Sequence, residues 1–179
     1  MKQDPAELKL SILKDRARAL AKLPDKAAAG HQFLEIIVFR LASETYGVES
    51  KYIREIYPLK DFTPIPGTPA FVLGLANVRG RILSVIDLKK FFNFQGKGLG
   101  ELNKIIIVQN EFMEFGILAD AIIGARRVML EDIQESPPTV SGIGAQYLRG
   151  ITKERLAVLE MGKILNDEKM IVNVTARGD

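Results

Sequence analysis

The sequence predicts an all-β protein built as two small barrel lobes, and three features predict it. Short runs of β-branched and aromatic residues recur along the chain, each broken by Gly, Pro or Asn at turn positions. Helical periodicity is confined to residues 5–23 and to short turns. Finally, the chain echoes itself. Val78-Arg79-Gly80, a strand, then Asp87-Leu88 and Lys90 are followed much later by Leu148-Arg149-Gly150, a strand, then Glu160-Met161 and Lys163. Short strands at close spacing are best accommodated in closed barrels, which leave few raw edges.

In chain order, Asp4-Pro5-Ala6-Glu7 starts a helix, with an acidic N-cap, Pro at the first helical position and an acid in the first turn. Leu10, Leu13, Ala17 and Leu20 form its apolar stripe, and Pro24 ends it. Such a helix is marginal alone in water. It packs on the protein's own surface or serves a basic amphipathic role toward an acidic partner or membrane surface. Residues 1–30 are therefore expected to be a helical extension and linker, and 31–175 the β-rich body.

Phe33–Leu41 reads as a strand buried on both faces. Ser43-Glu44 turns it back into Tyr46-Gly47-Val48, Ser50 caps one helical turn, and Glu55-Ile56-Tyr57 returns to strand. Pro58, Pro64, Pro66 and Pro69 forbid regular structure over much of 58–69. Leu73–Val78 and Ile82–Ile86 flank Arg79-Gly80-Arg81 as a tight hairpin, and Asp87 caps a short helix over Leu88–Phe92. Residues 93–103, rich in Gly, read as the loop dividing the lobes. They lack the Gly-Lys-Ser/Thr order of a phosphate loop. Residues 104–109 and 112–118 form a hairpin about Asn110-Glu111, and 121–129 a further strand. Residues 131–144 are a Pro- and Gly-containing loop, 147–152 and 155–159 another hairpin, and 162–165 a short helix.

The chain of 179 residues is 47% hydrophobic and 26% charged, ordinary proportions for a globular protein. It has no Cys, which excludes disulfides, thiolate metal sites and a cysteine nucleophile. The single histidine, His31, sits beside an Ala-Ala-Ala-Gly connector and has no local context for a catalytic triad. The net charge of +3 lies wholly in residues 1–30, where seven basic residues face four acidic ones. The remaining 18 basic and 18 acidic residues cancel, which disfavours nucleic-acid binding by the body. Glu131, Asp132 and Glu135 lack the ligand alternation of a calcium loop, and Asp87 and Asp120 have nothing to pair them as catalytic carboxylates. No cofactor, metal site or catalytic residue is predicted. No apolar run is long enough to span a membrane or to act as a signal peptide, so a cytoplasmic protein is expected.

Tyr46-Gly47-Val48, Ile53-Arg54-Glu55-Ile56, Ile65-Pro66-Gly67-Thr68-Pro69-Ala70-Phe71 and Asn77-Val78-Arg79-Gly80, then an apolar run and Asp87-Leu88, occur in an order and spacing that resemble the CheW coupling proteins of bacterial chemotaxis. The resemblance covers roughly His31 to Val174. It implies two five-stranded SH3-like barrels packed on one apolar core. It also implies a non-catalytic adaptor between chemoreceptor cytoplasmic helices and the regulatory domain of the histidine kinase CheA, placed at membrane-associated receptor arrays. A CheW-like adaptor of a non-flagellar pathway, such as pilus motility, is the near alternative, and a small nucleic-acid-binding barrel the remote one. The receptor-binding surface implied is Ile53, Glu55, Ile56, Gly74, Asn77, Val78 and Arg79. The kinase-binding residues are not implied. Glu55 and Arg79 are expected to pair, either as a surface salt bridge worth at most about 1 kcal/mol or as a preordered contact for a partner. Family members often carry Pro where this chain has Ser84, which restores a backbone donor.

Overall fold

The computed structural model describes residues 32–93, 104–135 and 144–170. The expected helix at 5–23, His31, the glycine run at 96–100 and the prolines at 137 and 138 lie outside the described residues.

Among the described residues, eleven strands form two sheets. They are β1 (Phe33–Leu41), β2 (Glu44–Glu49), β3 (Ile53–Pro58), β4 (Val72–Val78), β5 (Arg81–Ile86), β6 (Lys104–Gln109), β7 (Glu114–Ala119), β8 (Ala121–Met129), β9 (Ile133–Gln134), β10 (Leu148–Thr152) and β11 (Leu156–Leu159). Two short helices follow the second strands of two hairpins, α1 (Leu88–Phe91) after β5 and α2 (Met161–Leu165) after β11. One sheet has the order β8-β1-β2-β11-β10-β9 and the other β3-β6-β7-β5-β4. These are the two SH3-like lobes, one with a sixth strand of only two residues.

The chain does not change lobe at 93–103. It leaves the six-stranded lobe after Glu49, builds β3 to β7 of the other lobe in one run, and returns at Asp120. One lobe is thus inserted into the other. The two are also permuted copies. The β4–β5 hairpin and α1 match the β10–β11 hairpin and α2, with β5 parallel to β7 and β11 parallel to β2. The internal echo in the sequence is real at Asp87 and Glu160, the N-caps of the two helices. It fails at Arg79-Gly80 against Arg149-Gly150. Gly150 lies inside β10 and corresponds to Gly74 of β4, because both face the main chain of a third segment that pairs with the hairpin.

Burial explains the alternation. The lobe of β3 to β7 has its own core of Ala76, Val78, Leu83, Val85, Ile105, Ile107 and Leu118. The other lobe has a smaller one of Ile36, Val38, Val128 and Leu156. The largest cluster, including Phe39, Val48, Leu88, Phe91, Ile106, Ile117, Leu159 and Ile164, draws on both sheets and joins the lobes. Residues Ile105 to Val108 are all fully buried because alternate side chains enter the lobe core and the shared core. Only part of β1 is buried on both faces. Val38 and Phe39 are consecutive buried residues at a register shift against β8, where Ile123 is left outside the ladder and 56% exposed, while Phe33 is 42% exposed.

Local signals were mostly followed. The Asp87 side chain accepts a hydrogen bond from Lys89 N at 3.0 Å, as an N-cap should. Ser50 is an exception. It opens a 3-10 turn over Ser50–Tyr52, but its hydroxyl donates to Glu35 O and does not cap that turn. The expected loop at 131–144 begins with structure: Leu130–Asp132 is a 3-10 turn and Ile133–Gln134 joins the sheet beside β10. Ser84 pairs with Leu75 in an unbroken stretch of the β4–β5 ladder, as the restored donor allows.

Candidate functional site

The β4–β5 hairpin closes through Arg79 and Gly80, both with positive φ, 52° and 84°. That is a type I′ turn, the geometry whose twist suits a two-residue hairpin. Gly80 is there for its conformation, since open space surrounds the position of a side chain. Asn77 stabilises the loop, its Oδ1 accepting from Gly80 N at 2.8 Å. Arg79 is the anomaly. A long L-residue in the left-handed region costs of order 1 kcal/mol, and its side chain is 73% exposed.

Strand polarity brings three connections to the same end of this lobe: the Arg79-Gly80 turn, the β6–β7 turn at 110–113 and the entry to β3. There the inward-facing residues give way from apolar to charged. Arg79 Nε lies 3.4 Å from Glu55 Oε2, so the expected pair forms. Arg81 Nη2 lies 3.5 Å from Glu55 Oε1, while its Nη1 donates to both oxygens of Glu114 at 3.0 and 2.9 Å. Arg54 Nη1 donates to Glu114 Oε1 and to Gln109 Oε1, each at 3.3 Å. The register places Glu55 opposite Ile107, Arg81 opposite Val78 and Glu114 opposite Gln109, so the ionic chain lies across the mouth of the lobe, above its apolar core.

Of the seven residues implied as a receptor surface, Arg79, Asn77 and Ile56 are exposed and Glu55 is partly so. Val78 is fully buried in the lobe core, and Ile53 is half-buried against the shared core. Gly74 is buried against the main chain of Thr63. Of the seven, Val78, Ile53 and Gly74 are thus packed inward, and the other four lie at the surface. Beside them, the outer strands β3 and β4 border a groove of about 230 Å³, lined by Tyr57 to Thr63 and Leu75 to Val78.

Arg81, Glu114, Arg54 and Gln109 were missed as members of this cluster. Arg81 was visible beside the turn, but Glu114 lies 33 residues further along the chain. Only the parallel pairing of β5 with β7 brings the two together.

Two further ionic groups, each with a buried member, lie where the chain passes between lobes. Lys89 donates to Asp120 Oδ1 at 2.7 Å, and Asp120 Oδ2 accepts from Ala42 N at 2.6 Å. Glu49 takes Arg149 at 2.5 Å and Lys51 at 2.6 Å. These acids clasp the two crossings. The charged groups at the lobe mouth are likewise bound to one another, giving a two-lobed scaffold with an ionic, partly apolar surface.

Comparison with known proteins places that scaffold in a family. Residues 35–169 match the CheW-like domain, and the chain belongs to this family. A chemotaxis protein CheW of Treponema pallidum is 31% identical over 150 residues, covering 80% of this chain and 88% of that protein. Protein FrzA of Myxococcus xanthus is 28% identical over 84% of this chain and 92% of its own length. The crystal structure of a scaffolding protein CheW from Thermoanaerobacter tengcongensis superposes with a TM-score of 0.66 at 29% identity, covering 79% of this chain and all of the other. The chain is thus a CheW-like adaptor of the chemotaxis type.

Proposed function

We propose that this adaptor is non-catalytic and couples the cytoplasmic tips of chemoreceptors to a CheA-type histidine kinase, in the cytoplasm at receptor arrays. The single observation that carries the receptor half of this reading is the Glu55–Arg79 pair at the hairpin tip, with Asn77 and Ile56 beside it. An arginine tethered in a disfavoured backbone conformation and left largely exposed is poorly explained by stability. It is suited to donating a charge-assisted hydrogen bond to a partner helix whose apolar face rests on Ile56. Less entropy is lost on binding because the guanidinium is ordered beforehand. The lobes supply the rest of the mechanism. A receptor held on one lobe and a kinase held elsewhere on the same rigid body are coupled geometrically, provided each contact differs between kinase states.

Titration of the protein with a helical fragment of a chemoreceptor tip tests this. Arg79→Ala should weaken binding by about 1.5–3 kcal/mol, roughly tenfold or more, with the melting temperature preserved. Arg79→Lys should restore only part, since the planar fork is lost. Unchanged affinity in a folded Arg79→Ala variant would move the receptor surface elsewhere. A second reading is a CheW-like adaptor of a non-flagellar chemosensory pathway, such as pilus motility. It predicts binding to receptors of that pathway through the same surface.

A further inference from the structure

We propose that Arg81 is the positioning residue of this surface: by spanning Glu55 and Glu114 across the lobe mouth, it fixes the carboxylate that orients Arg79. The proposal rests on the reading of Arg79 as the partner-facing group and adds what holds that group in place.

Arg79 cannot hold itself. Its side chain has one ionic contact, at 3.4 Å, on a turn that is mostly solvent-exposed. An isolated pair of that kind contributes little, because water competes for both ions and two long side chains lose rotamer freedom. The stiffness has to come from the acid. Glu55 is only 24% exposed, and its other oxygen faces Arg81 Nη2. Arg81 is itself anchored from the opposite side, with Nη1 on both oxygens of Glu114. Glu114 is in turn held by Arg54, which also donates to Gln109. The chain Arg79, Glu55, Arg81, Glu114, Arg54 alternates in sign throughout.

Topology makes Arg81 the essential link. Strands β3 and β5 are not neighbours in the sheet; β6 and β7 stand between them. No ladder hydrogen bond therefore ties Glu55 to the hairpin that carries Arg79, and in this cluster the tie runs through side chains. A guanidinium spans the gap because its nitrogens address two acids at once in a fixed plane, whereas an ammonium is a single point. Beneath it lies the apolar core of the lobe, so the acids have less water to turn toward. The cluster holds three cations and two anions. The most exposed cation, Arg79, carries the surplus toward a partner acceptor.

The test uses the full-length protein. Side-chain Nε relaxation of Arg79 is measured by NMR in the free protein, and affinity for the receptor-tip fragment is measured in parallel. In Arg81→Met the Arg79 order parameter should fall to the value seen in Glu55→Gln, and affinity should fall about threefold to tenfold. Arg81→Lys should recover part of both. The double variant Arg79→Ala with Arg81→Met should bind no more weakly than Arg79→Ala alone, because Arg81 acts through Arg79. If Arg81→Met does not fold, Glu114→Gln carries the same test by loosening the far anchor. Arg79 order unchanged in a folded Arg81→Met or Glu114→Gln variant overturns the proposal. So does a full loss of affinity in Arg79→Ala alongside none in Arg81→Met, which would leave the docking surface itself standing. If Arg79 order falls as expected while Arg79→Ala leaves affinity untouched, the docking reading fails, and with it the part of Arg81 in binding.

Discussion

Gly74 and Gly150 occupy the same place in the two lobes. A Cβ on Gly74 would lie 2.3 Å from Thr63 O, and one on Gly150 would lie 2.3 Å from Gln134 O. Each glycine lets a short extended segment pair with the first strand of a hairpin, through Thr63 with Leu75 in one lobe and Gln134 with Ile151 in the other. The nearest obstacle in each case is main chain, which cannot swing aside as a flexible side chain would, and at Gly150 the Ile133 Cγ2 adds a second at 2.6 Å.

Gly74→Ala and Gly150→Ala should therefore each destabilise the protein by about 1–3 kcal/mol, as overpacking does. Gly74→Ala should cost more, because Gly74 also has a φ of 148°. Gly124→Ala is the control. Its φ is 150°, but nothing lies near the added carbon, so it should cost only the backbone strain. Denaturant midpoints at constant slope would rank the three. Equal costs for Gly124 and Gly74, which share the backbone conformation and differ in the close approach, would mean that the close approach is not what demands glycine.

The turn at Arg79 predicts a trade between stability and binding. Asn tolerates the left-handed conformation far better than Arg does. Arg79→Asn should thus stabilise the fold by up to about 1 kcal/mol while weakening the receptor-tip complex, the usual conflict at a strained functional position. Thermal melts and the titration, run on one preparation, check both signs. A variant that is less stable would show that the ionic tether outweighs the strain.

The crossing at Asp120 predicts an asymmetric pair of effects. Lys89 is 5% exposed at its side chain and Asp120 is 27% exposed. Asp120→Ala strands a buried ammonium and frees Ala42 N in a turn with φ of 55°. It should cost about 3–5 kcal/mol. Lys89→Met leaves the more solvated partner and replaces a buried cation with an apolar chain of similar length, so it should cost clearly less. Equal losses from urea unfolding of the two variants would contradict this account.

Much of this was legible in the sequence because it is local. The hairpin at Arg79, the cap at Asp87 and the strands at 33–41, 104–109 and 121–129 follow from turn chemistry and β propensity over a few residues. Glu55 and Arg79 came from the family's motifs, and their pairing needed only the barrel to close. What escaped depends on long-range order. Nothing in the run of residues says that β6 and β7 belong with β3 rather than with β8, so the sequence points to the Gly-rich loop as the divide, whereas the chain changes lobe at Glu49 and Asp120. The false match of Arg149-Gly150 to Arg79-Gly80 has the same origin. Two-residue identity is cheap in sequence, whereas the equivalence of Gly150 with Gly74 is defined by a neighbouring main chain. Arg81 stands out in the sequence only by its place beside the turn, because its partner Glu114 lies on a strand that pairs in parallel, and no local pattern announces that.

The tyrosines predict how the fold responds to alkali. Burial, together with a hydrogen bond to Asp167, pushes the Tyr147 hydroxyl up to about 12. Tyr46, buried and bonded to Glu44 at 2.5 Å, is pushed up further. A phenol with a raised pKa in the folded state keeps its proton where the unfolded chain has lost it. The folded state then binds more protons, and stability falls as pH rises. The contribution of Tyr147 is fully present below about pH 10, where the unfolded phenol begins to ionise, and is lost as pH climbs through about 12. Asp167 works at the opposite end. Burial alone would raise its carboxyl, but the bonds from Tyr147 and from Lys169 N outweigh that and lower it. Its contribution is present above the ordinary carboxylate range and is lost on acidification below it. Tyr147→Phe removes the phenolic ionisation and one of the two bonds to Asp167. The variant should be less stable at neutral pH, yet its stability should decline less steeply above pH 10 and vary less in acid. Urea midpoints collected from pH 3 to pH 11.5 would show the two curves converging at both extremes, and parallel curves across that range would remove the Tyr147–Asp167 pair as a source of the pH dependence.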